Sequence, residues 1–197
     1  MKMLGIEKVF VNTMGKGRAN AARVKEALEI CPVEPGIRVL EIGCGIGVVS
    51  AFLAEELGLD VTGTDFDPAQ VMLAQRRQTE GERLRFEQAD ATALGYADGA
   101  FDLVVSQYVF HHIPEWRKAM AELGRVVKPG GLVVWDDIAV TRLGKALAGP
   151  FKGFITPFTH DDIEQAIFGE GFAPQAHSFS PGVLLQFHKM TLRKRVH

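Results

Sequence analysis

The feature that most constrains this fold is an alternation of short apolar runs with amphipathic helical patterns. An apolar run at 37–42 and a predicted buried strand at 59–64 each lead through a turn into a helix, and the first helix places Val49, Leu53 and Leu57 four residues apart. Three more strands are predicted, at 84–86, 101–106 and 132–138. Runs that are apolar throughout are typical of parallel strands covered on both faces. The alternation predicts an α/β protein with a doubly wound, mostly parallel sheet.

Capping and stop signals place two of the helices. Asp67 followed by proline is an N-cap pattern, and it predicts a helix that runs to about Gln78. A second helix is predicted to begin at Pro114, with a buried stripe of Trp116, Met120, Leu123 and Val127 that ends at a turn over 128–131.

The chain after the fifth strand departs from the alternation. Thr159 and Asp162 form a capping-box pattern that predicts one more helix. Two later runs, 173–178 and 183–190, are joined by the turn Ser180-Pro181-Gly182 with no helix between them. They predict a C-terminal antiparallel hairpin at the edge of the sheet.

A glycine loop follows the first strand. Gly43, Gly45 and Gly47 alternate where the strand turns into a helix, which suits a backbone that a ligand approaches closely. The dinucleotide fingerprint requires glycine at the position of Val48, so a nicotinamide cofactor is disfavoured without being excluded.

Six landmarks in order carry a family resemblance: the loop 41–47, Asp65, Asp90-Ala91, the strand 101–106, His111-His112-Ile113-Pro114, and 126–131. With these landmarks the sequence resembles the class I S-adenosylmethionine-dependent methyltransferases of the small-molecule, type 11 kind. The resemblance implies a Rossmann-like fold and S-adenosylmethionine as the cofactor.

The resemblance also implies the cofactor contacts, and their chemistry fits the ligand. A carboxylate accepts two ribose hydroxyls, an acid beyond the third strand reads the adenine amino group, and an acid in the loop balances the ammonium. The expected contacts are Glu41, Gly43, Gly45 and Gly47 in the loop, Asp65 and Phe66 at the ribose and adenine edge, Asp90 and Ala91 at the adenine, and Ser106 and Gln107 at the methionine portion.

Methyl transfer requires alignment more than a catalytic group, and a base is needed only for a protonated acceptor. The candidates for a catalytic role are His111 and Asp136, with His112 and Asp137 as neighbours. Adjacent acids on a strand face opposite sides, so at most one of the two aspartates is expected to face the substrate. No metal site is predicted.

Composition limits the partners and the compartment. The net charge of −2 provides no positive field for nucleic acid, and no segment has the pattern of a signal peptide or membrane span. Two cysteines, Cys31 and Cys44, one of them in the glycine loop, favour a reducing, cytoplasmic setting. The oligomeric state stays open.

The chain is expected to form a single domain over 1–197, with 1–30 as an N-terminal covering segment. Residues 139–158 are longer than the usual connection and rich in apolar residues, which predicts a lid over a small, partly apolar acceptor. A short helix packed on the core is the alternative for that segment. Two other functions remain open: a nicotinamide-dependent oxidoreductase and a non-catalytic S-adenosylmethionine-binding protein.

Overall fold

The computed structural model describes residues 14–78, 83–147 and 156–196. Its helices are α1 (Met14–Ile30), α2 (Val48–Glu55), α3 (Pro68–Gln75), α4 (Trp116–Val126), α5 (Arg142–Leu147) and α6 (His160–Gly169), with a 3₁₀ turn at Phe110–His112. Its strands are β1 (Arg38–Ile42), β2 (Asp60–Asp65), β3 (Leu84–Gln88), β4 (Phe101–Gln107), β5 (Val127–Val140), β6 (Phe172–Ser180) and β7 (Leu185–Lys194). Within the described ranges, no helix is both long and apolar enough to cross a bilayer.

The strands form one seven-stranded sheet in the order β3-β2-β1-β4-β5-β7-β6. The first five strands of this order are parallel, whereas β7 is antiparallel to β5 and β6 is antiparallel to β7. The predicted doubly wound sheet with a C-terminal antiparallel hairpin at its edge is confirmed. The strand order reverses between β1 and β4, and ligands in such sheets bind at the carboxyl ends of the strands beside that point.

Both faces of the sheet are buried, because neighbouring residues on each central strand alternate between two cores. Val39 and Leu103 face a core closed by α1, α2 and α3, whereas Leu40 and Val104 face a core closed by α4 and α6. This arrangement explains why the central residues of these strands, Val39 and Leu40 in β1 and 103–105 in β4, are apolar.

The boundary between α4 and β5 differs from the prediction. The helix ends at Val126, and β5 begins at Val127 instead of Leu132, with a register shift where Phe101 pairs with Val127 and Leu103 with Leu132. The segment that was predicted to be a turn therefore lies within β5, where its pairing with β4 is irregular. A side chain at Gly131 would approach Asp102 O to 2.9 Å, so the glycine lets this irregular segment pack against β4.

The predicted lid is only partly described, since 148–155 lie outside the described residues. Its ends belong to the scaffold: Ala139 and Val140 are buried in β5, and Phe158 is buried in the core beside Trp116 and Trp135. The segment available for a lid is therefore shorter than predicted.

Candidate functional site

The glycine loop is folded against the end of β2. The amides of Gly43 and Cys44 both donate to Thr64 O, at 2.7 and 2.8 Å. Gly43, Gly45 and Gly47 have φ angles of 78°, 53° and 77°, in the left-handed region that favours glycine. The alternating glycines are thus required by the turn itself.

Asp65 closes this loop through its carboxylate. One oxygen accepts the Gly45 amide at 3.0 Å and the other accepts the Asp67 amide at 2.9 Å. These two bonds hold the loop and the start of α3 at the carboxyl end of β2. Asp67 itself accepts the Ala69 amide at 3.0 Å, which confirms its predicted role as the N-cap of α3.

A cavity of about 740 Å³ opens at the carboxyl ends of β1, β2 and β4. This volume lies within the roughly 300–1,000 Å³ typical of ligand sites. The cavity brings together most of the predicted cofactor contacts: Glu41, Gly43, Gly45, Asp65, Phe66, Asp90, Ala91 and Gln107.

Gly47 and Ser106 differ from the prediction, since neither is among the described residues that line the cavity. A side chain at Gly47 would approach Phe86 Cζ to 2.6 Å, so this glycine allows the loop to pack on β3. Ser106 is 1% exposed on a central strand, between Ile42 and Trp135. Gly47 therefore has a packing role in the loop, and Ser106 is a buried residue of β4.

Glu41 is a buried acid on the cavity wall. It is 5% exposed and accepts a hydrogen bond from the Ser50 hydroxyl. Burial raises the pKa of Glu41 to about 7, and the negative charge of Asp65 adds to this effect, although the Ser50 hydrogen bond opposes it. A cationic group beside this carboxyl would favour its ionised form.

Asp90 and Phe66 lie at the outer part of the cavity. One Asp90 oxygen accepts both the amide and the hydroxyl of Thr92, at 2.8 and 2.7 Å, which fixes the turn after β3. The Phe66 ring is 50% exposed, and an exposed aromatic ring beside a cavity offers an apolar surface for a planar ligand.

His111 is the candidate catalytic residue that the cavity contains. Its ring is mostly buried, and its Nδ1 is hydrogen-bonded to the carboxylate of Asp137, which also accepts the Phe110 amide at 2.7 Å. The His112 ring lies 3.9 Å from the His111 ring between centroids. Asp137 therefore fixes the orientation of His111 and leaves Nε2 as the ring nitrogen for chemistry.

Asp136, the other predicted candidate, does not line the cavity. It is 1% exposed, accepts a hydrogen bond from Gln107 Nε2 at 3.0 Å and pairs with Arg23 at 3.3 Å. Burial raises the pKa of Asp136, and Arg23 opposes this increase. The structure thus makes Asp136 a support for Gln107, and the sequence-based choice of Asp136 as a catalytic candidate is corrected.

Sequence reasoning missed the residues that α1 contributes. Lys16, Gly17 and Asn20 line the cavity, and Lys16 Nζ lies 5.4 Å from the ring centroid of Tyr108. Tyr108 itself has a φ of 60° and directly follows β4. The sequence predicted a covering helix here, but no local pattern shows which wall of a cavity that helix completes.

The comparisons with known proteins agree with this geometry. Residues 40–135 match the family described as "Methyltransferase domain". The 2-methyl-6-phytyl-1,4-hydroquinone methyltransferase of Synechocystis sp. is 43% identical over 103 residues, which cover 52% of this chain and 32% of that protein. The demethylmenaquinone methyltransferase of Thermus thermophilus is 36% identical over 112 residues, which cover 56% of this chain and 51% of that protein. The chain thus matches about half or less of the length of these curated relatives.

The solved structure of a geranyl diphosphate methyltransferase in complex with SAM has the same fold, with a TM-score of 0.75. It is 16% identical, and the match covers 94% of this chain and 92% of that one. The family follows from three features together: the glycine loop, the acids at the ends of successive strands and the matched domain. Residues 40–135 form a methyltransferase domain of the class I, S-adenosylmethionine-dependent type.

Proposed function

We propose that the protein transfers a methyl group from S-adenosylmethionine to a small, partly apolar molecule. The observation that carries this proposal is one cavity lined by residues of two chemical kinds. The glycine loop, Glu41, Asp65 and Asp90 suit the cofactor and are called the cofactor part, whereas His111 and Phe187 suit an acceptor and belong to what is called the acceptor part. Cofactor and acceptor would then meet in a shared space, as direct transfer requires.

The residues of the cofactor part fit a cationic ligand without phosphate. The loop from Gly43 to Val48 contains no lysine or arginine, and Glu41 is a buried acid whose pKa is raised to about 7. In the proposal Glu41 balances the methionine ammonium, Asp65 accepts the ribose hydroxyls and Asp90 accepts the adenine amino group. When bound, the cofactor supplies a methyl group that its sulfonium has already activated.

The acceptor part combines apolar walls with one oriented imidazole. Val109, Ile113, Ile138 and Phe187 line it, together with His111. Because Asp137 holds Nδ1 of His111, the ring either positions an acceptor hydroxyl at Nε2 or takes its proton. The names of the two curated relatives contain a hydroquinone and a menaquinone, which supports an aromatic, partly apolar acceptor.

The lid over 139–158 stays a prediction, and its central residues, 148–155, lie outside the described residues. The Thr156 amide donates a hydrogen bond to His111 O at 2.7 Å, so the described end of the segment is attached beside the proposed acceptor part.

Both cysteines are unpaired, which supports the further proposal that the protein acts in a reducing cytoplasm.

Calorimetric titration with S-adenosylmethionine and, separately, with NAD tests the cofactor. We expect binding of S-adenosylmethionine only, and Asp65→Asn should weaken it by about 10- to 100-fold, since a charge-assisted hydrogen bond contributes about 1.5–3 kcal/mol. Asp60→Asn is the matched control, because Asp60 lies at the opposite end of β2 and pairs with Arg85. Tighter binding of NAD, or unchanged affinity in folded Asp65→Asn, would contradict the assignment.

Turnover separates an enzyme from a binding protein. The protein is incubated with a methyl-labelled cofactor and a panel of phenols and quinols, and the labelled products are identified. Label transfer that His111→Gln diminishes supports the proposal. Tight cofactor binding without transfer to any member of the panel would favour the non-catalytic alternative.

A further inference from the structure

Three histidines that the proposed function does not use lie together at the edge of the sheet. His160 begins α6, His177 lies on β6 and His188 on β7. One nitrogen from each ring lies within 4.8 Å of the others, and His177 Nε2 is 3.1 Å from His188 Nδ1. Three separate elements thus bring three imidazoles to one point.

One nitrogen of this histidine cluster that can serve as a ligand, Nδ1 of His160, is buried without a hydrogen-bond partner. The other nitrogen of His160 faces the Glu164 carboxylate at 3.4 Å. A carboxylate on the far nitrogen is the usual outer partner of a metal-bound histidine, because it fixes the tautomer and the ring orientation.

The distances are close to those of a coordination site. A tetrahedral ion with bonds of about 2.0–2.1 Å separates its ligand nitrogens by about 3.3 Å. Nε2 of His177 and Nδ1 of His188 are already 3.1 Å apart. One nitrogen of each of the three histidines lies within 4.8 Å of the others, so a modest rotation of the His160 side chain brings its nitrogen to a similar spacing. The Phe179 ring lies 5.6–6.2 Å from all three imidazoles, between centroids, and provides apolar cover.

A separate cavity of about 200 Å³ adjoins the cluster. His160, His188, Thr141 and Asp161 are among its lining residues. It lies on the opposite side of β7 from the larger cavity, because Phe187 lines the larger one and its neighbours Gln186 and His188 line this one. The smaller cavity has room for a water molecule as a fourth ligand.

We propose that His160, His177 and His188 bind a divalent transition metal such as Zn²⁺, with the fourth position open to the smaller cavity. The ion ties α6 to the β6–β7 hairpin, whose outer strand β6 pairs only with β7. His188 is also the cross-strand neighbour of Asp137, the carboxylate that orients His111. Occupancy of the site therefore fixes the strand pair that supports the candidate catalytic histidine.

The test uses protein without a polyhistidine tag, treated with a chelator and then titrated with Zn²⁺ by calorimetry. We expect one ion per chain and a rise in Tm, because the ion binds only the folded state. His177→Ala changes an exposed ligand and should weaken binding by more than about 100-fold, whereas Glu164→Gln should weaken it by about 10-fold. Co²⁺ should give the visible absorption of a tetrahedral or five-coordinate site in the wild type and not in His177→Ala.

His197→Ala, at the end of the chain, is the matched control and should bind Zn²⁺ like the wild type. His160→Gln provides a second ligand variant, so the test does not depend on the folding of His177→Ala. The proposal is overturned if the wild type binds no ion at one equivalent. It is also overturned if folded His177→Ala and His160→Gln keep wild-type affinity, in which case the cluster serves only for aromatic packing. Neither result bears on methyl transfer, which is measured separately.

Discussion

Replacing Glu41 with glutamine should stabilise the protein much more at pH 8 than at pH 5. The carboxyl is buried, and its pKa rises from an ordinary value of 4.5 to about 7 in the folded chain. Between these two values the unfolded chain has lost the proton while the folded chain still holds it. The stability that the protonated form provides is complete below pH 4.5 and disappears as the pH rises through about 7.

The size of the effect follows from the two pKa values. Their difference corresponds to about 3 kcal/mol in the free energy of unfolding. Between pH 5 and pH 8 the wild type should therefore lose about 2.5 kcal/mol relative to Glu41→Gln, which cannot ionise. The glutamine side chain has the same length, and its amide oxygen can still accept the Ser50 hydrogen bond.

Urea denaturation of both proteins at pH 5, 6, 7 and 8, without ligand, measures this difference. Glu29→Gln, which removes an exposed carboxylate on α1, is the matched control and should follow the wild-type profile. Parallel profiles for the wild type and Glu41→Gln over this range would refute the reasoning, because they would mean that Glu41 ionises equally well in the folded and unfolded chains.

Three further outcomes are expected. Binding of S-adenosylmethionine at pH 7 should release protons from Glu41, and the affinity should increase as the pH rises. Calorimetry in buffers of different ionisation heat measures the proton release. Proton release that persists in Glu41→Gln would contradict the assignment to Glu41. In urea denaturation, Gly47→Ala should be less stable than Gly36→Ala by about 1–3 kcal/mol. Both glycines have nearly the same φ, 77° and 78°, but only a side chain at position 47 would collide with Phe86. Equal losses of stability in the two variants would exclude the packing role of Gly47. His111→Gln should lower kcat by about 100-fold or more and leave cofactor affinity unchanged, and a change confined to KM would show that the histidine only binds the acceptor.

The sheet could be predicted from the sequence because its signals are local. A strand buried on both faces must be apolar along its length, so β1 and β4 are visible as short runs. The N-cap Asp67 and the capping box of Thr159 are equally local, since each side chain bonds to a backbone group two or three residues away. The glycine loop marked the ligand edge because only glycine tolerates its backbone angles.

The roles of two adjacent acids could not be read from the local sequence. Asp136 and Asp137 alternate across β5, and the sequence proposed Asp136 as a catalytic candidate. The choice depends on what packs against each face: Arg23 of α1 lies beside Asp136, whereas the 3₁₀ turn brings His111 to Asp137. Only the docking of two distant segments onto one strand decides between the two acids.

The histidine cluster shows the same limit more strongly. His160, His177 and His188 have no ligand-like spacing, and the sequence predicted no metal site. They meet because α6 packs beside a hairpin in which His177 and His188 occupy diagonal positions: His188 pairs directly with Phe179, two residues from His177. The sequence by itself determined the α/β class, the order of the strands and helices and the ligand edge, because backbone angles and two-sided burial restrict residue types position by position. The tertiary structure alone decided which side chains share a cavity, because that depends on contacts between elements far apart in the chain.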